Sequence, residues 1–113
     1  MEPVNNQKAL YISFKKGDFK SVKIAHKILV HLFDKGYNLF IGKSNEFEIP
    51  GSIKYSILQK EDKSKIWYII TIGGDGSILY AINEFNSEKI PPIISFSTVH
   101  LNRGLCVICQ VSV

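Results

Sequence analysis

The stretch IWYIITIGGDGSILYAINEF, residues 66–85, decides how the rest of the chain is read. From Ile66 to Ile72 nearly every residue is apolar or aromatic, without polar alternation, which predicts a strand buried on both faces of a parallel sheet. Gly73, Gly74 and Gly76 then strip side chains from the turn at that strand's carboxyl end, so backbone N–H groups can come close to a ligand. Ile78, Ile82 and Phe85 fall at i, i+4 and i+7 and predict a short helix that lays one face on the sheet and points its N-terminus at the turn. Asp75 is thereby a carboxylate at the mouth of a strand-turn-helix crevice, where open α/β sheets bind ligands. A plain structural explanation competes with this one, because Asp is a favoured helix cap and glycines are common in tight turns.

Upstream, Lys8 to Phe14 contains β-branched and aromatic residues and no breaker, a first strand, and Lys15-Lys16-Gly17-Asp18 is a strand-to-helix turn. Val22, Ala25, Leu29, Leu32 and Phe33 form the apolar stripe of a helix from about Phe19 or Ser21 to Lys35, stopped by Gly36. Tyr37 to Ile41 is a second strand, parallel to the first because a helix-length crossover joins them. Lys43 to Ser52 lacks a sustained period and reads as a loop or flexible insertion. Ile53, Tyr55 and Ile57 alternate with Lys54, Ser56 and Leu58 and hint at a half-exposed strand, and Lys60 to Lys65 reads as a solvated charged turn. Downstream, Pro91-Pro92 sets an extended entry to a buried strand, Ile93-Ile94-Ser95-Phe96, expected beside the one ending at Ile72, so that Asp75 and Ser97 stand at neighbouring strand ends. The expected architecture is a Rossmann-like three-layer α/β/α domain with a mostly parallel sheet.

A chain of 113 residues has room for one domain, and 45% hydrophobic with 21% charged residues describes an ordinary globular composition. The formal charge of +4 favours phosphates, but the lysines are scattered and form no sequence-visible patch, so neither nucleic acid nor membrane is expected as a partner. No apolar run reaches membrane-spanning length and Met1 to Lys20 has no signal-peptide core, from which a cytoplasmic location is expected. Cys106 and Cys109 lack a second ligand pair, and His26, His31 and His100 offer no partner spacing. They read as reduced cysteines in an apolar tail, and no metal-ligating residues are assigned.

The order of motifs resembles the N-terminal domain of an NAD kinase of the eukaryotic type. Members of that family carry Gly-Gly-Asp-Gly-Thr, Leu-Leu, often Tyr-Ala, a following Phe and then Pro-Pro before a strand. This chain has Gly73-Gly74-Asp75-Gly76-Ser77, Ile78-Leu79-Tyr80-Ala81, Phe85 and Pro91-Pro92-Ile93-Ile94-Ser95-Phe96-Ser97. Ser77 in place of Thr keeps the hydroxyl. Lipid kinases and phosphofructokinases resemble the glycine turn alone, but the Pro-x-Gly-Thr-x-Asn-Asp run of lipid kinases is absent. The resemblance spans Lys8 to Thr98 in layout and lapses afterwards. Where the family continues Gly-x-Leu-Gly-Phe-Leu, Val99 to Leu105 keeps only Leu101 in register. It therefore implies a domain over residues 1–98 and a divergent tail over 99–113, such as a shifted frame or mis-splicing would produce, with the family's β-rich C-terminal domain absent from this chain.

Similarity to this family also implies a reaction, transfer of the ATP γ-phosphoryl group to the 2'-hydroxyl of NAD to give NADP, with inorganic polyphosphate open as an alternative donor. Asp75 would be the catalytic residue that takes the ribose proton. Gly73, Gly74, Gly76 and Ser77 would face the nucleotide phosphates, as would Lys15 and Lys16 at the end of the first strand, and Mg²⁺ would arrive with ATP. The chain alone is expected to be inactive. Self-association into a homo-oligomer is expected through apolar surface that a second domain would otherwise cover. The alternative from another class is a catalytically silent nucleotide-binding or assembly module; a basic nucleic-acid binder has least support.

Overall fold

The computed structural model describes residues 8–46, 48–49, 53–85, 89–97 and 108–111. In chain order these form β1 (Ala9–Phe14), α1 (Phe19–Asp34), β2 (Asn38–Ile41), β3 (Ser56–Ile57), β4 (Ile66–Gly73), α2 (Asp75–Phe85), β5 (Ile93–Ser97) and β6 (Ile108–Val111). The strands make one sheet in the order β3-β2-β1-β4-β5-β6. The first five run parallel, and β6 joins β5 antiparallel, with Cys109 opposite Ser95.

Alternation along the strands divides the core into two layers. Leu10, Ile12 and Phe14 of β1, with Leu39, Ile41, Ile70 and Ile72, face α1 and pack on its buried Ala25 and Leu29. Ala9 and Tyr11, with Phe40, Ile69 and Ile93, face the other way onto Ala81 and Phe85 of α2. Two helices on opposite faces of one sheet are the α/β/α sandwich expected from the non-alternating strands. Asp18 caps α1, its carboxylate accepting from the Ser21 N–H at 3.0 Å and the Ser21 hydroxyl at 2.7 Å. Those bonds, the hydroxyl first, hold the Asp18 carboxyl below its ordinary pKa. Gly36 ends the helix at a φ of +89°, a left-handed position where a side chain would be strained.

The segment after β2 differs from the expected loop. Lys43–Asn45 is a 3₁₀ turn, Asn45 is fully buried, and Ile49 and Ile53 belong to the α1-side core. Two isolated isoleucines carry no periodicity, so tertiary packing fixes what the local pattern leaves open. Likewise only Ser56–Ile57 pairs as a strand, and Lys60–Lys65 is a 3₁₀ helix in which Gln59 and Asp62 cap each other's backbone. Of the tail expected over 99–113, including Cys106 and His100, all but residues 108–111 lies outside the described residues.

Beneath α2 one polar atom is left over. The Tyr11 hydroxyl is fully buried and has no hydrogen-bond partner among the described residues. Burial foremost, then the negative charge of Glu84, pushes its pKa far above the ordinary phenol range, and the neighbouring Ser13 hydroxyl opposes this only weakly. Gly42, at an ordinary φ of −78°, leaves room for that oxygen, since a Cβ there would lie 2.7 Å from it. Gly42→Ala should cost about 1–3 kcal/mol by overpacking, and Tyr11→Phe should recover most of that loss because it removes the colliding oxygen. Urea unfolding of the two single variants and the double variant measures the coupling; strictly additive losses would contradict the contact.

Candidate functional site

The β1-α1-β2 unit steps along the sheet in one direction and β4-α2-β5 in the other, so α1 and α2 leave adjacent strands for opposite faces. The carboxyl ends of β1 and β4 therefore flank a topological switch point, where an open sheet leaves a crevice between diverging connections. Two candidate elements meet there. Lys15 and Lys16 follow β1, both exposed, and the glycine turn follows β4. A Cβ built on Gly73 would lie 3.7 Å from the Lys15 Cβ and 3.6 Å from the Ser21 hydroxyl. The structure thus brings the base of the Lys15 side chain beside the turn.

The three glycines are not equivalent. Gly73 has a φ of +132°, and a Cβ there would stand 2.9 Å from the Ser77 hydroxyl, so backbone conformation and space both demand glycine. Gly74 and Gly76 have no positive φ, and a Cβ on either would meet nothing within 4 Å. The fold itself asks for no glycine at those two positions. They are exposed, and the absence of side chains leaves the backbone at the start of α2 bare to whatever enters the crevice.

Asp75 is the first residue of α2, immediately after Gly74, and the Ser77 N–H closes the first turn on the Gly74 carbonyl at 3.0 Å. Ser77 is only 8% exposed, and its hydroxyl donates to the Ile72 carbonyl at 3.1 Å. In this structure that hydroxyl ties the helix start to the strand end. Beside it, Thr71 donates to the Ser95 hydroxyl at 3.0 Å and pairs in register with Ser13, a row of hydroxyls across β1, β4 and β5. Ser97 ends β5 opposite Gly73, so neighbouring strands do present their carboxyl ends together.

Sequence reasoning missed what steadies the Lys15-Lys16 turn. Asn45 clasps the last residue of β1 from both sides, its amide donating to the Phe14 carbonyl at 2.9 Å and its oxygen accepting a long 3.5 Å bond from the Phe14 N–H. Glu48 accepts from the Asn45 amide at 3.3 Å and from the Gly17 N–H at 2.8 Å. A carboxylate therefore bridges the post-β2 segment to the turn that carries the lysines. Among the described residues no three His, Cys, Asp or Glu side chains come together as a metal cage.

Comparison with known proteins gives a consistent family. Residues 10–102 match the family model described as the ATP-NAD kinase N-terminal domain. Over 35 residues the chain is 51% identical to the mitochondrial NADH kinase pos5 of Schizosaccharomyces pombe, a match that covers 31% of this chain and 9% of that protein. Among solved structures it resembles the yeast NADH kinase complexed with NADH, with a TM-score of 0.63 at 19% identity over 80% of this chain and 31% of the other. That likeness is one of fold. The chain spans less than a third of the length of either protein.

Proposed function

The chain belongs to the family of ATP-NAD kinase N-terminal domains, and from that premise we propose that it carries the phosphoryl-transfer loop of an NAD kinase. One observation supports the reading above others: in the turn whose Gly73 lies against Lys15, Gly74 and Gly76 keep space open at the start of a helix that the fold does not need. In the proposed reaction the 2'-hydroxyl oxygen of the NAD ribose attacks the γ-phosphorus of ATP. The bond from that phosphorus to the bridging oxygen breaks, ADP leaves, and the hydroxyl proton passes to the Asp75 carboxylate. Most of the catalysis is positioning and charge neutralisation. The bare N–H groups at the start of α2 receive phosphate oxygens, and Lys15, with Lys16 next along the turn, supplies positive charge from the β1 side.

Mg²⁺ belongs to the donor substrate here. It commonly rides on nucleotide phosphates and water with few protein ligands. We assign the remainder of the nucleotide pocket to the family's second domain, so turnover requires the full-length protein. The test is NADP formation by that protein with NAD or NADH and with ATP or polyphosphate, beside calorimetric titration of this chain with the same ligands. Binding without turnover is expected of the chain and turnover of the whole protein; a full-length protein that phosphorylates neither dinucleotide overturns the proposal.

A further inference from the structure

At the opposite end of the sheet lies a cavity of about 1010 Å³ that the proposed reaction does not use. It opens where β4 and β5 begin, some seven residues from Gly73, or roughly 23 Å along the strand. Ile66, Phe85 and Trp67 line it, the first two as buried floor and the last 44% exposed at its side. Lys60, Lys63 and Lys89 line it as well. Pro91 and Pro92 stiffen one wall, and the Pro92 carbonyl is pinned by the Ile69 N–H at 2.9 Å. The walls are thus set by the fold before any ligand arrives.

Its lining is cationic. The neighbouring ion pair, Lys65 with Asp62 at 3.5 Å, uses a different lysine, and among the described residues none of Lys60, Lys63 and Lys89 pairs with a carboxylate. Lys8 adds a further cation, its ammonium 3.9 Å from the centre of the Trp67 ring. Like charges around a low-dielectric floor repel one another and focus their field into the cleft, which favours an anion there. An apolar floor with a few convergent charged groups and an aromatic wall is the usual make-up of a small-molecule site.

We propose that this cleft is a second ligand site, for a phosphorylated compound bearing a flat apolar ring, of the chemical class of nucleoside polyphosphates. The ring lies against Trp67 and the Ile66–Phe85 floor, and the phosphates reach Lys60, Lys63 and Lys89. A ligand held there touches the end of α2 and the start of β4, the two elements whose other ends form the glycine turn. The site stands on geometry separate from the proposed reaction, and neither needs the other.

Trp67 is the single tryptophan of the chain, so its emission reports on this cleft and not on the turn. Titrating the 113-residue chain with ATP should quench or shift that emission with an affinity that weakens as salt rises. Adenosine or tripolyphosphate alone should bind less well than ATP. Lys63→Ala with Lys89→Ala should weaken ATP by roughly tenfold per ammonium removed, whereas removing Lys20 and Lys27 from α1, an equal loss of charge, should leave it unchanged. These cleft lysines are exposed or half-exposed, and far-UV circular dichroism checks that the variants keep their fold. Calorimetry on Trp67→Phe in a Gly74→Ala, Gly76→Ala background, where the glycine turn contributes least, gives a readout independent of emission and should show weakened ATP binding. No emission change with ATP overturns the proposal, as does a response indifferent to the cleft lysines. A response to poly-glutamate but not to ATP overturns it too, and marks the cleft as a docking face for acidic polypeptide.

Discussion

Asp75→Asn in the full-length protein should lower kcat for NADP formation by about 10²–10⁴, the usual worth of a general base. That corresponds to about 3–5 kcal/mol of activation free energy. The substitution keeps size and polarity, so the ribose hydroxyl can still be held in line, and the KM for the dinucleotide should move little. Stability should also be nearly unchanged. The first turn of α2 closes through the Ser77 N–H and the Gly74 carbonyl, and the Ser77 hydroxyl anchors it to Ile72; neither bond involves the residue-75 side chain. Steady-state kinetics with a urea unfolding curve measure both halves. Near-normal turnover by the variant would remove the base role, and lost turnover accompanied by unfolding would reduce Asp75 to a structural cap.

The second large effect separates glycines that look alike in sequence. Gly73→Ala should destabilise the domain by about 3 kcal/mol, because alanine is strained at a φ of +132° and its Cβ meets the Ser77 hydroxyl. Gly74→Ala and Gly76→Ala should leave stability almost untouched, since each Cβ enters open space. If phosphates approach the backbone at the start of α2, those two variants should nonetheless lose nucleotide binding, by roughly tenfold or more for each N–H contact pushed away. Calorimetric affinity plotted against unfolding free energy places the three variants in two groups. Should Gly74→Ala and Gly76→Ala bind nucleotide normally, the turn would be no more than a strand-to-helix connection.

Much of this fold was legible in the residues, for identifiable reasons. β1, β4 and β5 are apolar runs with no breaker, and α1 shows its stripe between a capping Asp18 and a terminating Gly36. These signals are local, and their tertiary partners agree with them. The position of the glycine turn was also legible, because a buried strand ending in Gly-Gly-Asp-Gly leaves few places for the next residues to go. What each glycine does was not, since φ and the neighbouring atoms distinguish Gly73 from Gly74 and composition does not. Nor does the sequence show that the Ser77 hydroxyl donates to the Ile72 carbonyl and ties the helix start to the strand end.

Other features have no local signature. Asn45 sits in a polar stretch, and its side chain reaches backbone atoms of Phe14, 31 positions earlier. β6 pairs with β5 antiparallel, a partnership that four residues of sequence do not announce. The lysine-lined cleft is assembled from residues 60–67 and 85–92, two segments that read separately as a charged turn and a helix end.

The clasp by Asn45 and Glu48 has a consequence for anyone exchanging parts among homologues. A chimera that takes its β1-α1 unit from one parent and the segment after β2 from another can separate the grip from what it grips, even when every secondary-structure element is present. The mismatch would show at the crevice mouth, as misdirected lysines in a well-folded hybrid. Crossover points should therefore keep residues 14–17 and 45–48 from the same parent.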